Sequence, residues 1–279
     1  MEAVLNSITY PPIPIQTVGP LAFSLHGVFA ALGFFLGATY ALKLAEEKGL
    51  DYDLFSDGLN WALFGAIIGA RFFTIPAHLG EYGYGLDDVF SITGSYSIMG
   101  GMSGGIIAAY IRIKIIGNGN FVGYADCAAP ALILGTVIGR IGDLAIVEHL
   151  GRATTFILGY EILPGYDVAP QHNNLECVSP MMSCGVFHHV AMYDLIISLG
   201  MFFVFRQLQK RYVFGDGSWL GLWAVWYGAL RLFLDSLRFG MGDSTVGSLT
   251  WNQIGGLSLA ACGLVYFYYR KDSEQTENK

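Results

Sequence analysis

Seven apolar stretches of the sequence are each long enough to cross the hydrocarbon core of a membrane. A helix needs about 20 residues to span this core, and such stretches lie near 21–44, 58–79, 92–113, 121–138, 190–207, 218–237 and 251–269. Of the 279 residues, 53% are hydrophobic and 13% are charged, about half the charge of a soluble domain. We therefore predict an all-α polytopic membrane protein with a single transmembrane domain over 1–279, in which 139–189 is a long loop.

The positive charges predict an orientation for these helices. Ten of the fifteen Lys and Arg residues follow the first, third, fifth or seventh apolar stretch: Lys43, Lys48, Arg112, Lys114, Arg206, Lys210, Arg211, Arg270, Lys271 and Lys279. Because Lys and Arg are retained on the cytoplasmic side, we expect the N-terminus outside, the C-terminus in the cytoplasm and the loop 139–189 outside. The net charge is -7 and the chain has no basic tail, so nucleic acid is not expected as a partner.

The five remaining positive residues are all arginines in or near the outer halves of the second, fourth and sixth stretches: Arg71, Arg140, Arg152, Arg231 and Arg238. Ionisable residues at the end of a membrane helix are costly and usually functional. A planar guanidinium binds phosphate through two parallel hydrogen bonds, so this set favours a site for a phospholipid head group. The alternative is that some of them anchor the helices at the outer interface.

Two sequence patterns add to this interpretation. The segment 139–152 combines Arg140 with the acid or base side chains Asp143, Glu148 and His149. In the sixth stretch, residues spaced i, i+4, i+8 and i+11 lie on one helical face: Tyr227, Arg231, Asp235 and Arg238. A polar stripe in a membrane helix faces the bundle interior or a wet cavity. The alternative is a structural Arg231–Asp235 pair that locks helices together.

Glycines interrupt the third apolar stretch: Gly100, Gly101, Gly104 and Gly105. Small residues at this spacing in an apolar helix favour close packing against another helix. A glycine-rich loop that holds phosphate is the alternative. We favour helix packing because the surrounding residues are apolar.

These residues resemble those of the bacterial phosphatidylglycerol–prolipoprotein diacylglyceryl transferases. The segment from Gly139 to Gly151 is similar to their Gly-Arg-x-Gly-Asn-Phe-x-Asn-x-Glu-x-x-Gly pattern, with three substitutions at Asp143, Leu144 and Ile146. Supporting matches are Gly19-Pro20, His26-Gly27, Gly69-Ala70-Arg71, Gly100-Gly101, His188, Tyr193-Asp194, Tyr227, Arg231 and Arg238. Seven helices with the N-terminus outside also agree with this family.

The resemblance implies transfer of a diacylglyceryl group from phosphatidylglycerol to the lipobox cysteine thiol of an exported preprolipoprotein. A thioether forms and glycerol 1-phosphate is released, without a cofactor or a metal. It also implies a bacterial cytoplasmic (inner) membrane, membrane lipids as neighbours and an active cavity towards the outer leaflet. Arg140 and Arg231 would bind the donor and stabilise its phosphate. The other residues implied in substrate binding or its support are Arg71, Asp143, Glu148, Gly151, Tyr227 and Arg238.

The residue that would deprotonate the thiol is the main departure from the family. Met99 occupies the position of a family histidine, and methionine cannot take a proton. His26 occupies the position of a family tyrosine and could act as the general base. Asp143, Glu148 and His149 are rival bases, and His26 could instead only hydrogen-bond within the helix packing.

These departures leave two further functions open. A transferase could keep the lipid site and pass the diacylglyceryl group to a different acceptor. The chain could also be a non-catalytic membrane subunit that binds anionic lipid.

Cys177 and Cys184 share the loop that is expected outside the cytoplasm. Oxidation is possible there, so a disulfide between them is the favoured interpretation. A metal site with His172, His188 or His189 is the alternative, since these side chains are suitable ligands.

Overall fold

The structure is a computed structural model that describes residues 7–14, 16–18, 21–72, 98–148, 150–162, 185–238, 245–246 and 249–271. Most of these residues are helical. The described helices are α1 (Leu25–Glu47), α2 (Tyr52–Phe72), α3 (Ile98–Tyr110) with a π-helical continuation (Ile111–Ile116), α4 (Phe121–Ala145), α5 (Val190–Arg211), α6 (Ser218–Leu237) and α7 (Trp251–Arg270). Among them, α1, α4 and α5 are long and apolar enough to cross a membrane.

Each predicted apolar stretch coincides with a helix, but several ends differ. The helix α2 begins at Tyr52, six residues before the predicted start at 58. Residues 73–79 and 92–97 of the second and third stretches lie outside the described residues. The helix α4 continues to Ala145, so the prediction that 139–145 belongs to a loop is wrong. Its ionisable side chains find partners in the same compact unit, and the helix therefore does not end where they begin.

The prediction of an all-α chain omitted three small antiparallel sheets. Their strands are β1 (Gln16–Val18), β2 (Leu21–Phe23), β3 (Leu150–Ala153), β4 (Gly159–Glu161), β5 (Val186–His189), β6 (Thr245–Val246) and β7 (Leu249–Thr250). The strands β1 and β2 pair with each other, as do β6 and β7, whereas β5 lies between β3 and β4. Strands of two to four residues are too short for an alternating pattern of apolar residues, which is why the sequence did not reveal them.

One compact unit comprises residues 1–39 and 128–279. Within it α1 approaches α4 closely, because a Cβ atom at Gly33 would lie 2.7 Å from the carbonyl oxygen of Gly135. The strands β3, β4 and β5 cover a small buried core that includes Val147, Tyr160 and Phe187. The end of α4 and the starts of α1 and α5 all belong to this unit, which carries the candidate site.

The second compact unit comprises residues 40–127. Its helices α2 and α3 pack through glycines, since a Cβ atom at Gly69 would lie 2.9 Å from the Cα atom of Gly104. Likewise, a Cβ atom at Gly65 would lie 2.5 Å from the carbonyl oxygen of Gly104. The predicted role of the Gly100–Gly105 glycines in close helix packing is therefore confirmed.

Candidate active site

Arg140 lies in the penultimate turn of α4, and two carboxylates hold its guanidinium group. Its Nε donates a hydrogen bond to Oδ2 of Asp194 at 2.7 Å, and its Nη1 donates to Oδ2 of Asp143. The Arg140 side chain is 18% exposed, and each carboxylate side chain is 2% exposed. Charge-assisted hydrogen bonds of this kind are about twice as strong as neutral ones. The guanidinium group is therefore held in one orientation.

Asp194 and Ser198 complete this support from α5. The hydroxyl group of Ser198 donates a hydrogen bond to Oδ1 of Asp194 at 2.9 Å, and both residues are buried. Asp194 is one of the family matches in the sequence, but neither residue was predicted to have a role in the site. The available signal was an acid with a serine at i+4 in an apolar stretch, because such a pair shares one helical face.

His26 is the second residue of α1 and contacts the same carboxylate as Arg140. Its Nδ1 donates a hydrogen bond to Oδ1 of Asp143 and lies 3.9 Å from Oε2 of Glu148. The imidazole is 47% exposed. The predicted base and the predicted phosphate-binding arginine are therefore joined through Asp143.

Gly142 allows this approach of α1 to α4. A Cβ atom there would lie 2.8 Å from the carbonyl oxygen of Leu25 and 2.9 Å from the Cα atom of His26. Real Cβ atoms do not come this close to backbone, so α1 would have to move. Gly139 lies one turn earlier on the same helix, and a Cβ atom there would meet nothing within 4 Å. Of these two glycines, Gly142 is the one that positions His26.

The polar residues of α6 also meet in the structure. Asp235 is 3% exposed, and its Oδ1 lies 3.3 Å from Nη2 of Arg231 and 3.7 Å from Nη1 of Arg238. Tyr227 stacks on Trp223 with their ring centroids 5.3 Å apart. The Arg231–Asp235 pair is therefore present within α6, and Arg238 shares the same carboxylate oxygen.

Electrostatic interactions connect this stripe with the end of α4. Tyr227 interacts with Arg140, and Arg238 interacts with Glu148. Glu148 lies beyond the end of α4, where burial raises the pKa of its carboxyl group, while nearby Asp143 adds to the rise. The structure thus brings together most of the predicted site residues: His26, Arg140, Asp143, Glu148, Tyr227, Arg231 and Arg238.

Gly151 and Arg71 have different positions. Gly151 is in β3, where its backbone forms a bridge with Arg238, and a Cβ atom there would overlap the carbonyl oxygen of Leu237, the last residue of α6. Gly151 therefore allows β3 to lie against the end of α6. Arg71 is in the last turn of α2, in the second unit, so its predicted role in the site stays a prediction.

A buried histidine lies beside the site. The Tyr10 hydroxyl donates to the carbonyl oxygen of Leu144 at 2.7 Å, so at 2.8 Å from Nε2 of His189 it accepts a hydrogen bond. Burial lowers the pKa of His189 to about 4, although Asp143 opposes this effect. His189 is therefore neutral near pH 7 and holds the segment around Tyr10 against the end of α4.

The described residues contain one group whose atom types suit a metal ion. Nδ1 of His26 and carboxylate oxygens of Asp143 and Glu148 all lie within 4.8 Å of one another. The guanidinium group of Arg140 occupies an oxygen of Asp143 and would repel a divalent cation. His149, His172, Cys177 and Cys184 lie outside the described residues, so the predicted disulfide and the alternative metal site are not tested.

The chain is similar to known proteins over nearly its whole length. A family model described as prolipoprotein diacylglyceryl transferase matches residues 12–269. The phosphatidylglycerol–prolipoprotein diacylglyceryl transferase of Nostoc sp. is 28% identical over 272 residues, covering 94% of this chain and 92% of that protein. Proteins with the same description from Finegoldia magna and Clostridium kluyveri are 29% identical over 261 residues and 30% identical over 232 residues. They cover 91% and 78% of this chain, and 94% and 84% of their own lengths.

Proposed function

The chain belongs to the prolipoprotein diacylglyceryl transferase family, and we propose that it transfers a diacylglyceryl group from phosphatidylglycerol to a cysteine thiol of prolipoproteins. The thiolate attacks the glyceryl carbon next to the phosphate, and a carbon–sulfur bond forms. The carbon–oxygen bond to the phosphate breaks, and glycerol 1-phosphate leaves. The reaction needs a group that accepts the thiol proton and groups that stabilise the leaving phosphate.

The fixed guanidinium group of Arg140 is the observation that carries this proposal for the site. Two buried carboxylates hold its Nε and Nη1 atoms, whereas its Nη2 has no hydrogen-bond partner among the described residues. An arginine anchored in this way can offer Nη2 to a phosphate oxygen without reorganising. Preorganised donors of this kind stabilise the charge that develops in the transition state.

Arg231 and Arg238 supply further positive charge for binding the donor phosphate. Asp235 orients both of them and neutralises one of the two charges, so the group retains a net positive charge for an anionic donor. Tyr227 interacts electrostatically with Arg140. The resemblance to the family adds Arg71 as a supporting residue.

His26 accepts the thiol proton in this proposal. Its half-exposed imidazole is bound to Asp143 through Nδ1, which leaves Nε2 for a proton from the acceptor. Glu148 is the rival base, since burial raises the pKa of its carboxyl group and so favours proton acceptance. Met99 makes one of these residues necessary, because a methionine stands at the position of the family histidine.

The proposed setting is a bacterial cytoplasmic membrane that the chain crosses seven times. Ten of the fifteen Lys and Arg residues follow alternate apolar stretches. This distribution supports an outside N-terminus and a cytoplasmic C-terminus. The ends of α2, α4 and α6 that carry the arginines would then face the outer leaflet. This arrangement suits an exported acceptor and a phospholipid donor.

A transfer assay tests the proposed reaction. Purified protein in liposomes with phosphatidylglycerol receives a lipobox peptide, and mass spectrometry measures the mass of one diacylglyceryl group on its cysteine. Wild-type protein should yield this product, and Arg140→Ala should reduce it at least about 100-fold. Arg211→Ala is the matched control, because Arg211 is exposed in the last turn of α5 and lies outside the set of five arginines, and it should retain activity.

Absence of the product in the wild type, with an authentic transferase active in parallel, would contradict the proposal. Binding of phosphatidylglycerol without transfer would then support a lipid-binding subunit, which the substitution at Met99 favours. Transfer to a non-peptide thiol alone would support a different acceptor.

A further inference from the structure

Asp143 is the point at which the proposed proton acceptor and the proposed phosphate-binding residue meet. Its Oδ1 accepts a hydrogen bond from Nδ1 of His26, and its Oδ2 accepts one from Nη1 of Arg140. The carboxylate side chain is 2% exposed. It is therefore poorly placed to contact a substrate, and its negative charge would repel the donor phosphate.

The contact with Oδ1 of Asp143 determines which nitrogen of His26 carries the proton. A carboxylate can only accept hydrogen bonds, so Nδ1 of His26 must be the protonated nitrogen. In the neutral imidazole the lone pair is then on Nε2, which has no hydrogen-bond partner among the described residues. The side chain is 47% exposed, so one nitrogen is fixed by Asp143 while part of the ring stays accessible.

We propose that Asp143 is a positioning residue that fixes the tautomer of His26, so that Nε2 takes the proton from the acceptor thiol. This inference rests on the proposed transferase reaction. Asp143 replaces a family asparagine, and His26 replaces a family tyrosine. The two departures therefore form one hydrogen-bonded unit. They provide a proton acceptor in a chain that has Met99 at the position of the family histidine.

Arg140 makes the requirement for a carboxylate strict. The guanidinium group can only donate, so an asparagine at 143 must turn its oxygen towards Arg140 and its amide NH₂ towards His26. Nδ1 of His26 would then have to accept, and the imidazole proton would move to Nε2. The nitrogen that takes the thiol proton would be blocked, although the shape of the side chain is unchanged.

The other charges that interact with His26 do not replace this contact. Glu148 lies 3.9 Å from Nδ1, beyond hydrogen-bond distance, and Arg140 is the remaining charged neighbour. Asp194 is a useful comparison, because it holds Arg140 at 2.7 Å and does not contact His26. A substitution there disturbs the arginine without affecting the tautomer.

A double-mutant cycle tests the inference with liposome-reconstituted protein. The variants are His26→Gln, Asp143→Asn, the double variant and the matched pair Asp194→Asn with and without His26→Gln. Both kcat and kcat/KM for phosphatidylglycerol are measured for each. Asp143→Asn should lower kcat at least about 100-fold, as expected for a base held in the wrong tautomer. The double variant should be no slower than the slower single variant, whereas the effects of Asp194→Asn and His26→Gln on kcat/KM should multiply.

Nitrogen NMR of ¹⁵N-histidine-labelled protein reads the tautomer directly. The His26 signals, assigned by their loss in His26→Gln, should show a protonated Nδ1 in the wild type and a protonated Nε2 in Asp143→Asn. The signals should be unchanged in Asp194→Asn. This readout does not depend on activity, and a purely structural role of Asp143 would not predict the exchange.

The outcomes separate this inference from the proposed function. An active wild type in which the effects of His26→Gln and Asp143→Asn multiply, or in which Asp143→Asn keeps a protonated Nδ1, would overturn the role of Asp143 alone. A wild type that lacks transfer activity would overturn the reaction itself.

Discussion

Arg140 and Asp194 are joined by a hydrogen bond of 2.7 Å between Nε of the arginine on α4 and Oδ2 of the aspartate on α5. Ser198 supports the aspartate from one turn further along α5 at 2.9 Å. Because both carboxylate partners of Arg140 are buried, its guanidinium group cannot change orientation without breaking a charged contact away from bulk water. The position of the phosphate-binding group therefore depends on residues that do not themselves bind phosphate.

Asp194→Asn should weaken donor binding. The substitution keeps the shape but removes one of the two negative charges that hold Arg140, so the guanidinium group can rotate. We expect the KM for phosphatidylglycerol to rise at least about tenfold, which corresponds to ~1.4 kcal/mol. Ser198→Ala removes only one hydrogen bond to Asp194 and should have a smaller effect in the same direction. Steady-state kinetics in mixed liposomes measures both, and equal effects of the two substitutions would contradict the role of Asp194.

Gly142→Ala should inactivate the protein, whereas Gly139→Ala should be tolerated. The new methyl group at 142 would overlap the backbone of α1 at Leu25 and His26 and would displace His26 from Asp143. The methyl group at 139 would occupy open space and should leave stability unchanged or raise it by up to about 1 kcal/mol. Transfer activity and thermal unfolding in detergent distinguish the two variants. Similar behaviour of both would show that α1 and α4 do not approach as described.

Asp235→Asn should disturb two arginines at once. Arg231 and Arg238 share the Oδ1 atom of this buried carboxylate, so its loss leaves two positive charges to repel each other. We expect a loss of phosphatidylglycerol binding, measured with fluorescent lipid. The matched control is Asp57→Asn in the second unit, which removes an exposed pair with Arg112 at 2.6 Å. This pair should contribute less than about 1 kcal/mol to stability, and its loss should leave phosphatidylglycerol binding unchanged. Equal losses in both variants would contradict a local role of Asp235.

The burial of His189 predicts a loss of stability in mild acid. The unfolded histidine titrates with its ordinary pKa of 6.5, whereas burial lowers the pKa of folded His189 to about 4. The unfolded chain therefore binds the proton first, and stability falls as the pH drops from 6.5 towards 4. The lost free energy of unfolding should reach roughly 3 kcal/mol.

The control for this prediction is His189→Gln, which cannot titrate in that range. Its melting temperature should be lower than that of the wild type at pH 7 and should depend less on pH between 7 and 5. An unchanged slope in the variant would assign the acid sensitivity to other groups.

The sequence predicted the helices well because their signal is local. A predominantly apolar stretch of about 20 residues identifies a helix such as α5 without knowledge of its neighbours. The end of α4 was missed for the opposite reason. Arg140 and Asp143 look like the start of a loop in isolation, and only partners on α1 and α5 make their burial in a helix favourable.

The candidate site was predicted in its residue types but not in its connections. The i, i+4 spacing of Arg231 and Asp235 revealed their pairing, since both lie on α6. The contact between His26 and Asp143 joins residues 117 positions apart, and no spacing in the sequence reports it. Gly139 and Gly142 also look equivalent in sequence, and they differ only because α1 approaches one of them.

The most direct test of the proposed reaction is a balance between its two products. Phosphatidylglycerol with a labelled diacylglyceryl group and a differently labelled head-group glycerol is supplied in liposomes with a lipobox peptide. The wild type should release one glycerol 1-phosphate for each diacylglyceryl group attached to the peptide cysteine, and both products should disappear together in Arg140→Ala. Glycerol 1-phosphate released without lipidated peptide, or neither product from folded wild-type protein, would contradict the transfer reaction.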